Sequence, residues 1–184
     1  MERDAGEIAY ATRRADWYSD HVNMRAISLI MAAAFVSAGW AQQPSADLKT
    51  YASSKEVQDL IANAKKIRKG DAPLVSQPIV QLAPYRANLE YRPAVGPAAT
   101  HEKEAEIFYV IDGAGTLTTG GKLVNEKRTN AENLGGTGIE GGATQAVAKG
   151  DFFVVPENTP HWFSRIDGAL VLMSLHVPRT GGAK

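Results

Sequence analysis

From Leu74 onward the chain is cut into short apolar or alternating runs separated by Pro and Gly: LVSQPIVQL, YRANLEYRP, EIFYVIDG, GTLTTG, QAVAKG, DFFVVP, HWFSRI and ALVLMSLHV. Runs this short, with turn residues between them, predict strands, and many such strands in succession predict a sandwich or barrel. The face pattern says more. In YRANLEYR, Tyr85, Ala87, Leu89 and Tyr91 fall on one side and Arg86, Asn88, Glu90 and Arg92 on the other, so one face is buried and the other is wet or lines a polar cavity. EIFYVI, DFFVV and ALVLMSL are apolar on both faces and require cover on both, from a second sheet, a helix or another subunit.

A helix is predicted just upstream. In SSKEVQDLIANAKKIRKG, Ser53 is a cap with Glu56 three residues on, Val57, Leu60, Ile61, Ala64 and Ile67 form an apolar stripe, and basic residues precede Gly70. Such a helix packs its stripe on the main domain or on a partner. Residues 120–144, rich in Gly, Asn, Thr and charge, read as a long surface excursion of the kind that is either a functional lid or mobile. No internal repeat suggests a second copy of the domain.

The 184 residues, 44% hydrophobic and 22% charged, suit one globular domain with a sizeable core. Twenty basic residues balance twenty acidic ones, so the overall charge points neither to nucleic acid nor to an anionic membrane. With no cysteine, thiol nucleophiles, thiolate ligands and disulfides are excluded, and any metal needs nitrogen and oxygen donors.

The N-terminal stretch stands apart. From Met24, MRAISLIMAAAFVSAGWAQQP has one basic residue, an apolar run too short for a comfortable bilayer span, then small residues before a polar segment, the layout of a secretory signal peptide. We expect residues 1–23 to precede the true initiator Met24 and to carry no function, residues 24–41 to be the signal, with cleavage after Ala41 or else Ala38, and residues 42–73 to be linker and helix. Residues 74–178 form the barrel and 179–184 a tail. The mature protein is expected in the periplasm or outside the cell, with no membrane anchor.

Two segments carry the candidate chemistry. In HEKEAEIFYVIDG, four residues separate His101 from Glu106 and six separate Glu106 from Gly113; in GDFFVVPENTPHWF, Gly150, Pro156 and His161 follow at fixed intervals. Together these segments resemble the two motifs of the cupin family. On the gap-free alignment His101 takes the second histidine seat and Ala99 the first; alternatively His101 is the first and Lys103 stands in the second, with one residue deleted before Glu106. In the second motif Asn158 replaces the turn glycine, which Asn tolerates because it accepts positive φ, and Arg165 replaces the final asparagine.

The resemblance implies an all-β fold, a double-stranded β-helix or jelly-roll barrel, preceded by the amphipathic helix. It implies a divalent metal, Fe, Mn, Ni, Cu or Zn, held by His101, Glu106 and His161, a two-histidine, one-carboxylate set that leaves positions open for water, oxygen or substrate. The activity implied is a metal-dependent enzyme acting on a small molecule, dioxygenase-like first, isomerase or lyase second. The alternative is a non-catalytic cupin that binds a sugar or an organic acid with a vestigial site, which the alanine at position 99 favours. No catalytic or substrate-binding residue is assigned. Glu102 and Glu104 are expected to be solvated, and Lys103 to be a surface lysine or a cation at the barrel mouth. His176 is read as a strand-edge residue, and Phe108, Phe152, Trp162 and Phe163 as core. The strands apolar on both faces point to a homodimer.

Overall fold

A computed structural model describes residues 48–179. The signal peptide, its cleavage site, the upstream segment 1–23 and residues 180–184 lie outside the described residues.

The predicted helix forms as α1 (Ser54–Ile67) with a complete capping box: the Ser53 side chain accepts from the Glu56 amide, and the Glu56 carboxylate accepts from the Ser53 amide. Eleven strands follow: β1 (Val75–Leu82), β2 (Tyr85–Arg92), β3 (Ala98–His101), β4 (Glu104–Thr119), β5 (Lys122–Val124), β6 (Lys127–Arg128), β7 (Asn133–Gly136), β8 (Gly138–Glu140), β9 (Ala143–Ala148), β10 (Phe152–Val155) and β11 (His161–Pro178). All described strand pairings are antiparallel.

The long strands β4 and β11 pair along nearly their whole lengths, and register shifts midway divide each into two portions with different neighbours. Their outer portions, Glu104–Asp112 and Val171–Pro178, lie in the order β1-β2-β11-β4-β10. The other portions lie in the order β6-β7-β3-β11-β4-β9. This is the expected all-β jelly roll. At the register shift the chain requires Gly113: its φ is +86°, and a Cβ there would meet the Ala169 carbonyl oxygen at 1.9 Å.

Between the sheets, Phe108, Val110, Leu117, Val147, Val155, Phe163, Leu170 and Leu172 form the main core. On the outer face of the first sheet, Ala64 of α1 is buried with Ile79, Leu89 and Val171, so the helix covers the β1–β2 half of the face. The β4–β10 half stays open. Phe152, read from the sequence as core, is 68% exposed there, beside Val154 and Tyr109. Its ring points outward because β10 alternates, leaving Phe153 and Val155 to face inward.

The 120–144 excursion is built into the barrel. β7 pairs with β3, so that Asn133 lies opposite His101, and β5 pairs with β8 as a separate ribbon.

Candidate metal centre

Four side chains from four strand segments converge at one end of the space between the sheets. His101 ends β3, Glu106 lies early in β4, and His161 opens β11. His176 lies near the far end of β11, directly opposite Glu106 in the β4–β11 ladder. Glu106 is the hub: His101 Nε2 and His161 Nε2 each lie 3.2 Å from its Oε2, and His176 Nε2 lies 3.2 Å from its Oε1. The His101 ring centroid is 5.2 Å from that of His161 and 5.1 Å from that of His176. Glu106, His161 and His176 are 3%, 5% and 7% exposed, whereas His101 is only partly buried and marks the side nearest solvent.

The residues predicted from spacing thus come together, and the sequence reading of two others needs correcting. His176 is no edge residue; β11 is a central strand between β2 and β4, and its inward face carries Leu172, Ser174 and His176. Glu104 is not solvated either. Its carboxylate accepts from His176 Nδ1 at 2.9 Å and from Arg86, two partners that desolvation by the barrel end makes necessary. Glu102 does sit toward the surface, where Arg128 grips it through both terminal nitrogens at 2.7 and 3.0 Å and holds its carboxyl below the usual range. Lys103 lies in the turn between β3 and β4, exposed. Ala99 lies two residues before His101, on the same face of β3, and is bridged to His161. The fourth side chain of the cluster comes from β11. Asn158 adopts a φ of +56°, as its replacement of glycine requires.

The outer nitrogens of the imidazoles decide what the cluster can hold. His101 Nδ1 lies 2.7 Å from Asn133 Oδ1, His161 Nδ1 lies 3.3 Å from the Thr159 carbonyl oxygen, and His176 Nδ1 lies 2.9 Å from Glu104 Oε1. These oxygens only accept, so each Nδ1 carries the N–H, and a neutral ring then presents a bare lone pair at Nε2. Three such lone pairs face a carboxylate that has no hydrogen to offer. The arrangement calls for positive charge among these atoms, supplied either by protons or by a cation. Neutral imidazoles fixed through Nδ1 by oxygen acceptors are the usual setting of metal-ligating histidines. Donors each about 2.1 Å from a shared ion stand roughly 3 Å apart when adjacent at right angles. The ligand atoms of His101, Glu106 and His176 all lie within 4.8 Å of one another, a donor set that fits a first-row divalent ion, and His161 adjoins it through Glu106.

The electrostatics agree. Burial disfavours charge on Glu106, yet hydrogen bonds from the Nε2 atoms of His101, His161 and His176, where these carry protons in place of a metal, override it and hold the carboxyl far below the ordinary range. Burial also opposes charge on His101, but its bonds to Glu106 and Asn133 prevail and raise its pKa above the ordinary imidazole value.

The sequence matches the family model described as Cupin over residues 76–181. The chain belongs to the cupin family. No curated protein sequence matches it. Among solved structures, this cupin is similar to KdgF from Halomonas sp. at 20% identity, over 61% of this chain and 87% of that one, with a TM-score of 0.44. It is similar to HppE in its Fe(II) form at 15% identity, over 60% of this chain and 54% of that one, with a TM-score of 0.46. A protein from Bacillus halodurans aligns over 73% of this chain and 85% of its own at 12% identity and a TM-score of 0.46.

Proposed function

We propose that this cupin is a metal-dependent enzyme acting on a small molecule, with its ion held by His101, Glu106, His161 and His176. The observation that supports this is the convergence of three Nε2 atoms on Glu106 while every Nδ1 is committed to an oxygen acceptor. When bound, the ion supplies a Lewis acid or redox centre with exchangeable positions. The chain's own residues do the rest. Glu104 and Asn133 orient the rings of His176 and His101, and Phe108, its ring centroid 6.2 Å from that of His161, closes the inner side to water. Oxygenase-like chemistry is the first reading of the reaction, and isomerase or lyase chemistry the second.

Elemental analysis of protein purified without added metal or chelator tests this. Stoichiometric Fe, Mn, Ni, Cu or Zn that disappears in His161→Ala is the expected result. Zero metal across these ions moves the chain to the alternative, a non-catalytic cupin binding a sugar or organic acid.

We also propose that the protein is exported, on the strength of the basic, apolar and small-residue order from Arg25 to Ala41. N-terminal sequencing of native protein is expected to begin near Gln42; an intact N-terminus at Met1 in the cytoplasm contradicts it.

A further inference from the structure

Beside the histidine cluster lies a cavity of about 580 Å³ whose wall carries Arg86, Lys103 and Arg179, with Glu104 and Glu132. It opens where the β1–β2 hairpin, the β3–β4 turn, the β6–β7 turn and the end of β11 meet. Backbone hydrogen bonds hold this wall together: the Arg179 amide donates to the Lys103 carbonyl at 2.9 Å, and the Glu102 amide donates to the Glu132 carbonyl at 2.9 Å. Lys103 and Arg179 are therefore fixed side by side through their main chains, and Arg86 joins them from β2.

Two of these cations already meet carboxylates, and one does not. Glu104 is shared between Arg86 and His176 Nδ1, and Glu157 reaches only Arg179 Nε, at 3.5 Å. Glu132 makes no ion pair among the described residues, and neither does Lys103. With Lys103 carrying no ion pair among the described residues, Arg179 met only at Nε, and Arg86 sharing Glu104 with His176, the wall keeps donors for an entering anion even though Glu132 also lines it. Glu104 makes the cavity adjoin the cluster: it lines the cavity with one flank and touches His176 with its carboxylate.

We propose that this cavity is the recognition end of the substrate site and takes a small molecule bearing an oxyanion, a carboxylate or a phosphate, against Lys103, Arg179 and Arg86. The inference deepens the metal-enzyme reading by giving the substrate its chemical class. It also has consequences independent of the metal, because none of these three cations is a ligand.

The test is a titration of inorganic phosphate and, separately, of malonate into the full mature chain, followed by calorimetry or amide chemical shifts, with and without prior chelator treatment. Saturable binding in the chelator-treated protein is expected, at least tenfold weaker in Lys103→Gln/Arg179→Gln and unchanged in Lys149→Gln, whose cation pairs with Asp112 away from the cavity. The tighter of the two anions identifies the substrate's charged group. Binding seen only in metal-loaded protein and indifferent to Lys103→Gln/Arg179→Gln places the anion on the ion and overturns the proposal, as does absence of binding in both forms. Failure of the metal reading alone looks different: no metal by elemental analysis, with anion binding intact.

Discussion

His176 and Glu106 are register partners on β11 and β4, and His176 Nε2 lies 3.2 Å from Glu106 Oε1. That pairing supplies a fourth side chain to the cluster of His101, Glu106 and His161. β11 passes both His161 and His176 by Glu106, one near each of its ends. The cluster draws on both sheets, which is why its geometry depends on the fold rather than on one loop.

The acceptors behind the rings should matter nearly as much as the rings. Glu104→Ala removes the partner of His176 Nδ1, and metal affinity is expected to fall about 10- to 100-fold. Glu104→Gln keeps an acceptor oxygen and should recover much of that loss. Asn133→Ala should weaken binding through His101 in the same way. Competition against a chromophoric chelator measures all three; equal affinity in Glu104→Ala and the unmodified protein removes the orienting role.

Metal and protons should compete at the cluster. In chelator-treated protein, Glu106 is depressed below its ordinary value of 4.5, so its stabilisation is present above that value and lost as pH falls through the folded pKa. His101 is raised above its ordinary value of 6.5, so its contribution is present below that value and lost as pH rises through the folded pKa. The metal-free protein is therefore expected to be most stable between roughly pH 4.5 and 6.5 as far as this cluster governs it. Bound metal needs His101 neutral, so the melting-temperature gain on adding metal should grow as pH rises from 5 to about 8. Melting curves across pH, with and without metal, check the sign; a gain that shrinks with rising pH contradicts it.

Gly113 is expected to be intolerant of any side chain. Its positive φ and the 1.9 Å approach of a Cβ to the Ala169 carbonyl both oppose substitution. Gly113→Ala should cost more than about 1 kcal/mol in denaturant unfolding. A change within about 0.5 kcal/mol would show that the backbone there relaxes freely.

We propose that the open half of the first sheet is covered by a second copy of the chain. β10 pairs only with β4 among the described strands, and Tyr109, Phe152 and Val154 are 41%, 68% and 57% exposed on that face. An edge strand with an apolar outer face is self-complementary about a twofold axis. Light scattering at micromolar concentration should report a dimer, and Phe152→Lys should shift it toward monomer. A monomeric unmodified protein removes the proposal.

Much of this was legible in the sequence because it is local. Ser53 and Glu56 announce the helix start, the polar face of β2 is readable from strict alternation, and His101, Glu106 and His161 sit at motif spacing. His176 was not, since its place follows from the register of two long strands, which no local pattern encodes. One signal was available: Ser174 and His176 put two polar residues on the same face of an otherwise apolar strand. Glu104 and Asn133 were hidden for the same reason, because each matters only through the strand opposite. Phe152 misled because an apolar strand reads as buried on both faces when one face has no partner within the described chain.

The most direct test of the four-cornered cluster is the metal stoichiometry of His176→Ala, measured by elemental analysis beside the unmodified protein and Glu102→Ala. Metal near one equivalent is expected in the unmodified protein and in Glu102→Ala, with a loss in His176→Ala comparable to that in His101→Ala. Full stoichiometry and unchanged affinity in His176→Ala would contradict it, leaving His176 as a buried neighbour of the ion rather than one of its ligands.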